Sequence, residues 1–290
     1  MLRLISACLF LVAATPLWSQ AQRSTLSRGF DAQAPAVASA EEMAQGDLWV
    51  MEVEFKPLRL IRIETTDPTT GEKRDELVWY LVYRAQNKPL QSPAQEEGRT
   101  PINNYDPPPG PSLLVPEFQL ITDDNDMQQV HEDVVIPEAQ AAIAEREMRG
   151  GDAKKELKNS VQVVQPIPAV DDKAAKPIYG VVMWRGIDPS TDHFKVYASG
   201  FSNGYREVKG PDGKPLILRR EIVLDYWRPG DEFDVTEREF RLREQPRWIY
   251  RADEAQPGDA GQDALTSAPA GEASSPTDEP AAETPVAPEQ

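Results

Sequence analysis

Alternation of apolar and polar positions runs through the middle of this chain and fades towards both ends. Trp49, Met51, Val53 and Phe55 alternate with Val50, Glu52, Glu54 and Lys56, the period of a strand with one core face and one wetter face. Pro57 interrupts it, as at a sheet edge or a switch between sheets, and Leu58 to Glu64 continues extended. Thr66-Asp67-Pro68-Thr69-Thr70-Gly71 predicts a hairpin loop. Leu77-Val78-Trp79-Tyr80-Leu81-Val82-Tyr83 is apolar on both faces, which predicts a central strand covered on each side. Residues 88–112 are rich in Pro, Asn, Gln and Gly and read as a long surface loop. Leu113 to Thr122, Val134 to Ile136 and Val161 to Ile167 predict further extended segments.

Residues 178–205 read as a hairpin. Val181 to Trp184 build its first strand, and Phe194, Val196 and Ala198 alternate with Lys195, Tyr197 and Ser199 in its second. Asp188-Pro189-Ser190-Thr191-Asp192 between them is turn chemistry, because Pro fixes φ and Asp or Ser can bond nearby backbone. Trp184, Val196 and Ala198 should therefore be buried, and 188–192 an exposed turn. Asp212-Gly213 leads into Leu216 to Trp227, with Leu218, Ile222, Leu224 and Tyr226 on one face. Arg228-Pro229-Gly230-Asp231 is a turn, and Phe240 to Tyr250 a last strand with Trp248 as an anchor. One helix begins at Pro137, where Pro suits the first helical position and Glu138 the positive end of the dipole. Ala139, Ile143 and Glu147 form its inward stripe, and Gly150-Gly151 end it. About nine strands, one helix and no strand–helix–strand alternation predict a mainly β protein, an antiparallel β-sandwich of immunoglobulin-like type.

The ends follow other rules. Met1-Leu2-Arg3, the apolar run Leu4 to Val12 and Ser19-Gln20-Ala21 predict an export signal over 1–21, cleaved near Ala21 and too short to span a bilayer. Ile5-Ser6-Ala7-Cys8 has the form of a lipidation box, but only seven residues precede the Cys. Residues 22–46 read as a flexible lead-in and 47–251 as the folded domain. Residues 252–290 are rich in Pro, Ala, Glu, Ser and Thr, and read as a disordered acidic tail.

Charge and cysteine content narrow the chemistry. Of the net −17, the tail carries −9, the leader +1 and residues 22–46 −1, which leaves −8 on the domain. An acidic domain with an acidic tail argues against nucleic-acid or anionic-membrane partners. Cys8 is the only cysteine, so a mature secreted or periplasmic chain has no disulfide, no Cys nucleophile and no Cys metal ligand, and depends on its core for stability.

Five features invite a chemical reading. Gly200-Phe201-Ser202-Asn203-Gly204 matches the nucleophile elbow, yet an elbow needs a following helix and a later His, and both His131 and His193 precede Ser202. His193 lies near Trp184, Arg185, Asp188 and Asp192, a composition that makes these five the candidate ligand-binding residues; the plainer reading is a solvated turn. His131-Glu132-Asp133 has no second His at ligand spacing, so neither a metal site nor a cofactor is expected. Asp123-Asp124-Asn125-Asp126 has oxygen ligands but lacks the Gly and Glu of an EF-hand loop. The aromatics Trp79, Tyr80, Tyr83, Trp184, Tyr197, Trp227 and Trp248 suit a core better than a sugar platform.

Five ordered blocks carry a resemblance. They are Trp79-Tyr80-Leu81 with Tyr83 and Asn87, Pro116-Glu117-Phe118 with Leu120, Thr122 and Asp123, and Pro137, Ala139, Ile143 and Arg146-Glu147. Gly180-Val181 with Trp184, Asp188-Pro189, Asp192, Phe194, Tyr197, Gly200 and Ser202 follow, then Arg228-Pro229-Gly230-Asp231-Glu232. Over about 79–232 the chain resembles a group of uncharacterised exported proteins of planctomycete-type bacteria. That resemblance implies an exported β-rich domain and no transferable activity. The expected role is a non-enzymatic structural or interaction module of the cell envelope, with an envelope protein or glycan as partner. The alternative is a carbohydrate- or calcium-binding module, and the least favoured a serine hydrolase.

Overall fold

The apolar alternation becomes two antiparallel sheets facing each other across one core. A computed structural model describes residues 29–39, 41–66, 69–90, 112–124, 128–170, 176–210, 213–229 and 240–252. The expected export signal, most of the 88–112 loop and the acidic tail beyond Ala252 lie outside the described residues, as do Asp67, Pro68, Asp212, Gly230 and Asp231. The first seven strands are β1 (Ala32–Ala34), β2 (Met51–Phe55), β3 (Arg59–Thr66), β4 (Lys73–Asn87), β5 (Leu113–Leu114), β6 (Glu117–Thr122) and β7 (Gln129–Glu132). Helix α1 (Pro137–Glu147) follows. Then come β8 (Gln165–Pro166), β9 (Ile178–Trp184), β10 (His193–Ser199), β11 (Tyr205–Lys209), β12 (Pro215–Trp227), β13 (Arg241–Leu242) and β14 (Arg247–Ala252).

Both sheets are built around one long strand. In the first, β4 pairs with β9 on one edge and with β2 and β3, end to end, on the other; β1 adds outside β2. In the second, β12 pairs with β14 and β13 on one edge and with β10 and β11, end to end, on the other; β6 and β7 extend it beyond β10. The break between β2 and β3 falls at Pro57, which has no N–H for a ladder. The break between β10 and β11 falls at Gly200–Gly204. Trp79 and Trp184 from the first sheet meet Phe118, Phe194, Phe201 and Tyr226 from the second, all under 2 % exposed. The arrangement is compatible with the immunoglobulin-like sandwich expected from the strand count.

The outer face of the first sheet is covered by α1, so β4 and β9 are buried on both sides. Val78, Tyr80, Val82, Val181 and Met183 pack there against Ala139 and Ile143. The helix has only Ile143 as a large inward apolar residue, and its third inward residue is Glu147. The Glu147 carboxylate accepts hydrogen bonds from the Arg59 guanidinium (2.9 Å) and the Tyr80 hydroxyl (2.8 Å). Lys56 Nζ donates to the Glu147 main-chain oxygen at 2.6 Å and lies 3.5 Å from its carboxylate. Burial, then the Glu147 carboxylate, push the Tyr80 phenol well above its ordinary pKa, so it stays a donor.

Several sequence expectations need correction. Part of the lead-in is built into the fold: β1 joins the first sheet, and Ala32, Ala34, Ala36 and Ala38 are buried. The strap then crosses to the second sheet. There Arg220 donates to the Val37 carbonyl (2.6 Å), Trp248 Nε1 to the Pro35 carbonyl (2.8 Å) and Tyr250 to the Glu42 carboxylate (2.6 Å). Residues 178–205 are not a hairpin, because β9 pairs in the first sheet and β10 in the second. Their link is an arch across the core. Trp184, Val196 and Ala198 are buried and ladder-paired, and the 188–192 turn is exposed apart from the buried Thr191 and the half-buried Asp192. Of Val161 to Ile167 only Gln165–Pro166 is strand, since the Asn159 carboxamide accepts the Val161 and Gln162 amides and curls the chain into a turn. Val134 to Ile136 makes no ladder of its own, although the Val134 amide donates to the Met183 carbonyl. The span Phe240 to Tyr250 is two strands, β13 and β14, separated by a turn.

Two measurements probe these anchors. Glu147→Ala leaves Lys56 and Arg59 buried without their carboxylate and should lower unfolding free energy by roughly 3–5 kcal/mol in urea titrations. Replacing all three by apolar residues of similar volume should recover most of that loss; a triple variant no better than Glu147→Ala contradicts an electrostatic origin. For Glu42, burial raises the carboxyl pKa, but the Tyr250 hydroxyl, the Ser39 amide and Arg220 outweigh it and hold the value below normal. The unfolded chain then binds more protons at low pH, so this contribution is present above about pH 4.3 and disappears as pH falls through the lower folded value. Glu42→Gln should flatten the stability profile in that acid window and nowhere else.

Candidate functional site

The five residues singled out in the sequence fall into two groups: Trp184 and Arg185 at the end of β9, and Asp188, Asp192 and His193 in the turn that leads into β10. Trp184 ends β9, fully buried and opposite Trp79. Arg185 is exposed on the first sheet, 3.9 Å from Glu76. Asp188 closes its own turn, accepting the Ser190 amide (2.8 Å) and hydroxyl (2.6 Å). The hydrogen bonds from the Ser190 hydroxyl and amide, with Arg228 nearby, hold the Asp188 pKa below the usual carboxylate range. Asp192 ends the turn and His193 starts β10, and their amides donate to the Asp124 carboxylate at 3.0 and 2.8 Å. His193 Nδ1 lies 2.7 Å from the Arg243 guanidinium, which makes that nitrogen the acceptor. The turn is also held by Arg228, whose side chain donates to the Pro189 carbonyl and whose amide donates to the Asp192 carbonyl. These are the bonds of a built turn.

The other candidates resolve similarly. Asp123 accepts the Gln128 carboxamide at 3.1 Å, and Asn125 and Asp126 lie outside the described residues. Burial lowers the His131 pKa. No group of three or more His, Cys, Asp or Glu gathers to hold a metal among the described residues.

The Gly200–Gly204 string is a clasp between the sheets. The Ser202 hydroxyl donates to the Trp49 carbonyl (3.0 Å) and accepts the Gly204 amide (3.0 Å). A peptide carbonyl is not a base, so the hydroxyl proton points at nothing that could remove it. The Asn203 carboxamide accepts the Trp49 amide (2.8 Å) and donates to the Asp47 carbonyl (2.9 Å). Val50 and Ser202 form a bridge, and the Met51 amide donates to the Phe201 carbonyl at 2.9 Å. Gly200 has φ +78°, and a Cβ there would stand 1.9 Å from the Val115 carbonyl oxygen. The next element is β11, not a helix, so neither the strand–turn–helix context nor the activated serine of an elbow is present.

Beside the clasp, the outer face of the second sheet forms a groove of about 850 Å³. Trp49, Leu113 and Val115 make one wall, with Leu113 and Val115 exposed and Trp49 half-buried. The floor is a linked row of polar side chains. Arg251 donates to Glu221 (2.8 Å) and Gln119 (2.9 Å), Gln119 donates to Glu132 (2.9 Å), and the Arg251 guanidinium lies over the Tyr197 ring at 4.2 Å. Sequence reasoning missed this surface because it draws on six separate stretches of the chain. The available signal was the odd-numbered polar series Glu117, Gln119 and Tyr197, Ser199 on adjacent strands, which period two places on one face.

The clasp yields a graded expectation. Gly200→Ala should lower unfolding free energy by roughly 3 kcal/mol or more, through the left-handed backbone and the clash with Val115. Ser202→Ala should lose only about 1 kcal/mol, one neutral hydrogen-bonded hydroxyl. Equal losses in denaturant titrations would contradict the clasp geometry. No family model, no curated protein and no solved structure matches this chain.

Proposed function

We propose that this chain is an exported, non-enzymatic structural or interaction module of the cell envelope, built on an immunoglobulin-like sandwich. The observation that carries the reading is the commitment of its motif side chains: Ser202 and Asn203 are bonded to residues 47–49, and Asp188, Asp192 and His193 sit in a self-contained turn. The leader-like residues 1–21, the single cysteine within them and the resemblance to exported planctomycete-type proteins support the location. The groove beside the clasp supports an interaction role, since exposed Leu113 and Val115 border fixed polar groups there. No helix among the described residues is long and apolar enough to cross a membrane.

The reading is checked by three readouts on purified protein and on cells. The mature chain should begin near Gln22 by mass spectrometry and fractionate outside the cytoplasm. It should show no turnover of ester, peptide or glycoside substrates above a heat-denatured control. Turnover that Ser202→Ala abolishes, without loss of the folded thermal transition, would replace the module with a serine hydrolase.

A further inference from the structure

We infer that the groove beside the Gly200–Gly204 clasp binds an uncharged oligosaccharide, with the Glu117 carboxylate and the Trp49 wall as its principal contacts. This rests on the module reading and names the ligand class of the same surface. The groove's polar groups divide into two sets. Arg251, Glu221, Gln119 and Glu132 are bonded to one another and form a rigid floor. Glu117, Asp133 and Ser199 line the same groove and make no side-chain hydrogen bond among the described residues. Among the described residues these three groups are two carboxylates, which only accept, and one hydroxyl, which does both. The exposed Arg219 guanidinium lines the same groove and only donates, so a matching ligand both donates and accepts.

Charge then selects among such ligands. Four acids (Glu117, Glu132, Asp133 and Glu221) share the groove with two arginines (Arg219 and Arg251), Arg220 being buried and bonded to the Val37 carbonyl, so a cation and an anion each meet repulsion as well as attraction. A neutral polyhydroxyl chain meets neither, and vicinal hydroxyls can donate in pairs to one carboxylate. The apolar C–H face of a pyranose also suits an indole wall, since an aromatic ring offers large contact area at small rotamer cost. The volume, about 850 Å³, lies within the ordinary range of small-molecule sites.

The test is titration calorimetry on the mature chain with neutral tetrasaccharides of glucose, mannose and N-acetylglucosamine, with tetralysine and tetragalacturonate as charged probes. At least one neutral tetrasaccharide should bind, with an affinity that does not change on raising salt from low to high. Glu117→Ala should weaken it about tenfold, the loss of a charge-assisted hydrogen bond. Asp133→Ala should weaken it in the same sense, and Glu64→Ala on distant β3 should leave it unchanged. Each variant is checked for an unaltered thermal transition, and Leu113→Glu, at an exposed wall position, serves as a second groove variant. Absence of binding by all neutral probes, or binding that survives both Glu117→Ala and Leu113→Glu, overturns the inference. Salt-dependent binding of tetralysine or tetragalacturonate alone overturns it in favour of an ionic ligand. None of these outcomes touches the module reading, which is judged separately by the mature N-terminus, the cellular location and substrate turnover.

Discussion

The Met51 amide and the Phe201 carbonyl meet where the two sheets are tied, and much of the fold depends on that junction. Facing sheets stand about 10 Å apart and share side-chain contacts but no ladder. The only cysteine, Cys8, lies in the leader-like segment, so no disulfide joins the sheets of the described domain. The clasp supplies directional bonds instead: a bridge at Val50 and Ser202, and side-chain bonds from Ser202 and Asn203 to residues 47–49. It also sets the entry of β2, so the register of β2 on β4 follows from it. The strap of residues 32–42 repeats the device next to the clasp, pairing with β2 and then bonding to Arg220, Trp248 and Tyr250 of the second sheet.

The helix poses the opposite problem. Burying one large side chain, Ile143, contributes about 2–3 kcal/mol, too little to specify how an eleven-residue helix sits. The Glu147 cluster fixes its angle, because Arg59 and Tyr80 both reach one carboxylate oxygen and Lys56 reaches the main chain. Buried ion pairs add little net stability against apolar replacements but penalise every arrangement that separates them. Lys56 and Arg59 flank Pro57, so the same charges mark the break between β2 and β3. A helix position and a strand break are thereby coupled through one carboxylate.

What was legible in the sequence was whatever large apolar side chains announce. The strands at 49–56, 77–83, 178–184 and 216–227 carry bulky residues at strand period, and all four are present. β1 escaped because its inward residues are alanines, which composition scores as lead-in. Yet Ala32, Ala34, Ala36 and Ala38 alternate strictly, and their small size is what lets the strap lie close to the core. β7 and β11 escaped because they lie at exposed margins of the second sheet, where little apolar burial imposes a period. The arch at 178–205 was misread as a hairpin because turn chemistry at 188–192 is the same in both. The distinguishing signal was there: β9 is apolar at nearly every position whereas β10 alternates, and strands that differ in how many faces are covered belong to different layers.

The same reasoning explains why the candidate site moved. Trp184, Arg185, Asp188, Asp192 and His193 were grouped by nearness in sequence, but an arch sends its two ends to different sheets, so neighbours along the chain part in space. Residues that do share a surface, such as Glu117, Ser199 and Asp133, come from separate stretches of the chain and have no local signature. Nor does the identity of a glycine report chemistry here, since Gly200 is required by the Val115 carbonyl whatever Ser202 does. The discriminating property is whether a polar group is already bonded inside the fold. Ser202, Asn203, Asp124 and Asp188 are, and so they build architecture; Glu117, Asp133 and Ser199 make no side-chain hydrogen bond among the described residues, and so binding chemistry is to be sought where they converge.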